Sequence, residues 1–119
     1  MSLNRSRRVA GEMKKVLGRL IAREIKDPRI AALTSVTGVD LSRDLRHATV
    51  YVSIYGSEAE KNESMQTLKR ATGFIRREIG KNIRLRYTPE ISFAEDRSME
   101  YGAHIDRVLK SLDEDDRRE

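Results

Sequence analysis

Apolar residues in the first part of the chain fall at Val9, Met13, Val16, Leu17, Leu20, Ile21 and Ile25. Intervals of three and four put them on one side of a helix, so the pattern predicts an amphipathic helix from about Arg7 to Lys26. Its other faces carry Arg8, Lys14, Lys15, Arg19, Arg23 and Lys26. Gly11 and Gly18 share one face, which permits close packing or close ligand approach, packing being the commoner role. Asp27-Pro28 should end the helix, because a residue before proline is pushed out of α geometry. The period then changes to two. Ser35–Leu41 is rich in β-branched residues. The run from His47 to Tyr55 sets Ala48, Val50, Val52 and Ile54 against His47, Thr49, Tyr51, Ser53 and Tyr55. With Ser42-Arg43-Asp44-Leu45 as turn, this predicts an antiparallel hairpin with one buried face.

Ser57-Glu58-Ala59-Glu60 fits a capping box opening a second helix. That helix runs into Lys69-Arg70-Ala71-Thr72-Gly73-Phe74-Ile75-Arg76-Arg77-Glu78-Ile79-Gly80. At about 100° per residue, Leu68, Ala71, Ile75 and Ile79 face a core, whereas Lys69, Arg70, Arg76 and Arg77 lie within about 60° of Gly73. Glycine costs a helix interior about 1 kcal/mol relative to alanine. It is read here as a break in the helix and as a notch where a phosphate backbone can approach. Gly80 reads as the C′ glycine that closes the second half. Lys81–Tyr87 alternates basic and apolar residues, as a connector or the lead into a strand. A third strand is expected over Glu90–Glu95. Because a helix joins it to the second strand, a right-handed crossover would pair the two in parallel. Ser98 is the expected cap of a last helix bearing Ile105, Val108, Leu109 and Leu112. The expected organisation is one domain over 1–112 and a disordered acidic tail over 113–119.

Charge changes this picture more than composition does. The net charge of +5 is unevenly spread: residues 1–30 carry +6 and residues 69–86 another +6, while the remaining segments are acidic. Two basic segments are the electrostatic footprint expected on a polyanion. Aromatic residues make up 5% with no Trp, which argues against an interfacial membrane anchor, and no apolar run approaches a membrane span. The N-terminus lacks the apolar stretch of a signal peptide. Absence of cysteine removes disulfides and thiolate metal sites, and the cytoplasm is the simplest compartment.

Catalytic groupings are not evident. His47 and His104 sit in different elements without ligand-spaced partners, and surface roles suit them better than metal binding. Asp40 and Asp44 flank the turn, where turn formation is the commoner role than Mg²⁺ binding. Ser53 and Ser57 have no neighbouring base to activate them, and no phosphate-binding loop occurs. Tyr51 and Tyr55 alternate onto one strand face; packing under a helix is preferred to stacking on bases. No catalytic residue, cofactor or metal is expected.

The order α-β-β-α-α-β, with a glycine-bearing junction between its last two helices, resembles a type II KH domain, a fold that binds RNA usually through a GxxG loop. Here Ala71-Thr72-Gly73 stands where that loop would be. This departure, with Arg5-Ser6-Arg7-Arg8-Val9, Asp27-Pro28-Arg29, Val36-Thr37-Gly38-Val39-Asp40-Leu41-Ser42-Arg43-Asp44-Leu45 and Ala48-Thr49-Val50-Tyr51-Val52-Ser53, resembles the ribosome-binding factor A family from about Arg5 to Leu112. The resemblance implies an α+β, type II KH-like fold: α-β-β-α-(kink)-α-β plus a C-terminal helix, with a three-stranded mixed sheet. It further implies a monomeric bacterial factor that binds the free 30S subunit through 16S rRNA late in maturation. Association with 16S 5′-end processing and with growth in the cold follows, without enzymatic activity or a small-molecule substrate. The residues expected to touch RNA are Arg5, Arg7 and Arg8, then Lys69, Arg70, Ala71, Thr72, Gly73, Arg76 and Arg77, then Lys81, Arg84 and Arg86. Two other classes compete with this reading: a basic module docking on an acidic protein, and a small RNA-processing enzyme.

Overall fold

A computed structural model of the chain describes residues 3–24, 29–30, 34–98 and 107–112. Helix α1 (Leu3–Arg19) continues into a π-helical turn, Leu20–Glu24. Strands β1 (Thr34–Leu41) and β2 (His47–Ile54) follow, then α2 (Glu58–Arg70), α3 (Thr72–Asn82) and β3 (Glu90–Glu95). Residues 107–112 are helical as well. The sheet order is β1-β2-β3, antiparallel between the first pair and parallel between the second. This is the α+β, KH-like arrangement with a mixed three-stranded sheet. Asp27, Pro28, Ile25, Ile105 and the segment 113–119 lie outside the described residues.

All helices of the sheet layer cover one sheet face. Met13 and Leu17 of α1, Leu20 of the π-helical turn, Val50 and Val52 of β2, Leu68 of α2, and Ile75 and Ile79 of α3 are fully buried together. Each such side chain contributes about 1.5–3 kcal/mol through burial.

Strand β1 enters this core with spacing that simple alternation does not explain. Val36 is separated from Val39 by three positions, yet both pack against the core. The register resolves this: Val36 pairs with Val52 and Gly38 with Tyr51, so Thr37 is an extra residue, a β-bulge. The bulge shifts the phase by one and returns Val39 and Leu41 to the buried face. Its hydroxyl is used too. Thr37 Oγ1 donates to Asp96 Oδ2 at 2.7 Å, just beyond β3.

Helix boundaries follow local chemistry. The capping box is present: Glu60 N–H donates to Ser57 Oγ at 3.2 Å and Ser57 N–H to Glu60 Oε1 at 3.1 Å. The break between α2 and α3 falls at Ala71, not at Gly73. Ala71 has φ −83° and ψ 1°; its N–H reaches the carbonyls of Thr67 and Leu68, while its own carbonyl accepts from Ile75 N–H. One residue therefore ends one helix and starts the next, keeping Leu68 and Ile75 on the core side. Gly73 lies inside α3. Gly80 also fails to close the helix, which continues to Asn82, where Asn82 Nδ2 donates to Glu78 O at 2.7 Å. Gly80 instead gives room for Thr88, whose Oγ1 would stand 3.3 Å from an added Cβ. Gly11 and Gly18 do not mediate close packing, since an added Cβ would meet nothing within 4 Å at either.

One buried charge was not anticipated. Lys61 on α2 is only 5% exposed, with Nζ 3.6 Å from Glu95 and 3.8 Å from Glu58. Arg97 closes the network at 2.8 Å from Glu58 and 3.1 Å from Glu95. It ties α2 to the end of β3.

Candidate nucleic-acid interface

Gly73 opens onto a shallow hollow lined by Gly73, Arg76, Arg77 and Thr88. An added Cβ there would meet only Arg77 Nη1, at 3.8 Å. The glycine therefore serves no positive φ and no tight helix contact; it leaves an accessible backbone beneath a guanidinium. A second hollow is lined by Arg46, His47, Tyr87, Thr88 and Glu90, and a third by Arg5, Asp44, Leu45, Arg46, Leu85, Arg86 and Tyr87. Thr88 is common to the first two, and Arg46 and Tyr87 to the last two. The three are therefore adjoining hollows, a segmented depression from α3, across the 83–89 connector, to the hairpin turn and the start of α1. Five arginines line it.

The arginines differ in what already holds them. Arg76 is half-buried: its Nε donates to Pro89 O and its Nη2 to Thr88 O, both at 3.0 Å, with Glu90 at 3.7 Å. The helical wheel set Arg76 and Arg77 alike on the face away from the core, and the structure separates them. Arg76 closes the connector against α3, and Arg77 is the exposed cation beside Gly73. Arg46 and Arg86 lie over the Tyr87 ring, 5.0 and 5.7 Å from its centroid. Cations this near a ring face are attracted to its quadrupole and hold a flat platform together.

The turn beneath is well organised. Ser42 Oγ donates to Asp44 Oδ1 at 2.7 Å and accepts from His47 N–H at 3.0 Å, while Arg46 N–H donates to Asp44 at 3.1 Å. The Ser42 hydroxyl foremost, then the Arg46 N–H, lower the Asp44 pKa below its ordinary value, so it is a carboxylate at neutral pH. Leu45 takes a left-handed φ of 62°, which costs a non-glycine residue about 1 kcal/mol or more. Its side chain is buried in return.

Of the residues expected to touch RNA, the depression gathers Arg5, Gly73, Arg76, Arg77 and Arg86. Arg7, Arg8, Lys69, Arg70 and Arg84 are exposed outside it. Lys81 is exposed and paired with Glu78 at 3.2 Å. Ala71 and Thr72 are half-buried at the helix junction. Sequence reasoning missed Arg46, His47, Tyr87 and Thr88 as lining residues. The available signal was the Arg86-Tyr87 pair ahead of Pro89. Tyr51 and Tyr55, expected under a helix, are 36% and 78% exposed, because the helices occupy the opposite sheet face. Val108, Leu109 and Leu112, read as an apolar stripe, are exposed too. Among the described residues no group of three or more His, Asp or Glu could hold a metal ion, and no helix is long and apolar enough to cross a membrane.

A family model described as ribosome-binding factor A matches residues 5–109. The chain belongs to the ribosome-binding factor A family. Ribosome-binding factor A of Caldanaerobacter subterraneus subsp. tengcongensis is 56% identical over 108 residues, 91% of this chain and 88% of the relative. That of Moorella thermoacetica is 59% identical over 106 residues, 88% and 87% of the two chains. Among solved structures, a putative ribosome-binding factor A from Thermotoga maritima aligns with a TM-score of 0.71 at 38% identity, over 81% of this chain and 91% of that one. A homology model of the Thermus thermophilus ribosome-binding factor A, fitted into the cryo-electron-microscopy map of a 30S complex, aligns with a TM-score of 0.62 at 26% identity, over 74% and 91%.

Proposed function

We propose that this chain binds the free small ribosomal subunit through 16S rRNA during late maturation in the cytoplasm, acting as an assembly factor and not as a catalyst. Association with 16S 5′-end processing and with growth in the cold belongs to the same reading. The observation that carries it is the row of adjoining arginine-lined hollows from Gly73 to Arg5, on a chain whose Thermus thermophilus relative has been fitted into a 30S complex. Arg77 and the exposed helix-junction cations Lys69 and Arg70 are the phosphate contacts in this proposal; the half-buried Arg76 holds the connector that shapes the depression. Phosphate contacts give affinity that falls linearly with salt on a double logarithmic scale, while shape sets the position.

Co-sedimentation with purified 30S subunits over a salt series tests this. Binding should weaken steeply with salt, and Arg77→Glu should weaken it further without lowering the melting temperature. Failure to co-sediment at low salt would sink the proposal. Partners that survive nuclease treatment of a pulldown would point instead to an acidic protein.

A further inference from the structure

The hollow at the far end of the depression has a chemistry that phosphate contact does not use. It encloses about 240 Å³, just below the roughly 300–1,000 Å³ of small-ligand pockets and suited to a single ring system. Leu45 and Leu85 give it apolar wall, and the Arg46 and Arg86 guanidiniums, 5.0 and 5.7 Å over the Tyr87 ring, give planar groups on which a base can stack. Asp44 stands at its edge, its Oδ1 engaged by Ser42 Oγ and Arg46 N–H. A bare phosphate would leave the leucines and the ring unused and would meet the Asp44 carboxylate. A single-stranded nucleotide uses every part. Its base would stack on the tyrosine–arginine platform, its exocyclic amino group would donate to Asp44, and its phosphate would face Arg5 or Arg86.

We propose that the hollow between the hairpin turn, the 83–89 connector and the start of α1 takes one unstacked base of the bound RNA, preferring bases that carry an exocyclic amino group. This rests on the RNA-binding reading above and adds a site about which the Gly73 notch says nothing. Uracil, with a carbonyl oxygen where cytosine has its N4 amino group, is disfavoured by the carboxylate.

The chain has no tryptophan, so Tyr87→Trp creates a single reporter at the platform. The full-length variant is titrated with 30S subunits, hexacytidylate, hexauridylate and inorganic phosphate, and bound subunits are counted by co-sedimentation. Tryptophan emission should be quenched on subunit binding. Hexacytidylate should quench at several-fold lower concentration than hexauridylate, and phosphate should not quench. Asp44→Asn should erase the difference between the hexamers. Subunits that bind with unchanged emission, equal responses to the two hexamers, or a response to phosphate alone would each overturn the proposal. Tyr87→Ala, at a position 54% exposed, should fold normally and bind subunits about tenfold more weakly; undiminished binding would also overturn it. Failure of the unmodified chain to co-sediment is a separate result and would defeat the RNA reading itself.

Discussion

Arg76 and Arg77 are neighbours in sequence with opposite duties. Arg76 spends its guanidinium on two carbonyls, those of Thr88 and Pro89, so its loss leaves connector acceptors without a charged donor. Arg76→Ala should lower stability by about 1–2 kcal/mol, read by urea denaturation. Arg77→Ala should leave the midpoint nearly unchanged, as for other exposed charges. Equal effects would mean that the two side chains share one role. A helical wheel could not separate them, since both lie near Gly73; the difference arises from where residues 83–89 return, which is tertiary information. The same limit explains Gly73 and Gly80. Glycine in a helix was legible as unusual, but its reason is the neighbouring segment: open space at Gly73 and Thr88 at Gly80.

At the scale of elements, α1 and β2 were legible because each writes its buried face into the spacing of apolar residues, β1 from its β-branched content, and the start of α2 from its capping box. The bulge was less visible, since Val36, Val39 and Leu41 break the period of two without saying where the extra residue sits. The Lys61 network was invisible, because lysine reads as solvent-facing until β3 is laid beside α2. Lys61→Ala should cost about 3 kcal/mol by stranding Glu95 in a half-buried site, partly offset by Arg97. Lys61→Met should cost less, because its chain fills the same space. Thermal melts of the two variants compare these losses; if methionine is as damaging as alanine, the ion pairs and not the packing hold α2 on β3.

For the whole molecule, carboxylates set the response to acid. Hydrogen bonds from Ser57 N–H and then its hydroxyl lower the Glu60 pKa; bonds from Ser98 N–H and side chain, then Thr37, lower that of Asp96; Asp44 is lowered as described. A depressed folded pKa adds stability that is fully present above the ordinary carboxylate pKa of about 4 and is lost as pH falls through the lowered folded value. Melting temperature should therefore stay level from neutrality to about pH 5 and drop below about pH 4. A chain that melts unchanged at about pH 3 would show that these bonds do not distinguish folded from unfolded protein. Charge segregation, by contrast, was readable from the sequence in full. What it could not give was the path joining the two basic segments, which runs through Arg46, Tyr87 and Thr88.

The bulged Thr37 has a further consequence in time. Its hydroxyl reaches Asp96 Oδ2, and Asp96 N–H donates to Val52 O at 2.7 Å, so the first strand is latched to the third across the second. Strand ends ordinarily fray, and their amides exchange with solvent quickly. Here the Asp96 amide should exchange as slowly as those in the middle of β2, although it lies past the last residue of β3. Thr37→Val should let that end of the sheet breathe, accelerating Asp96 exchange while amides at the hairpin end keep their rates.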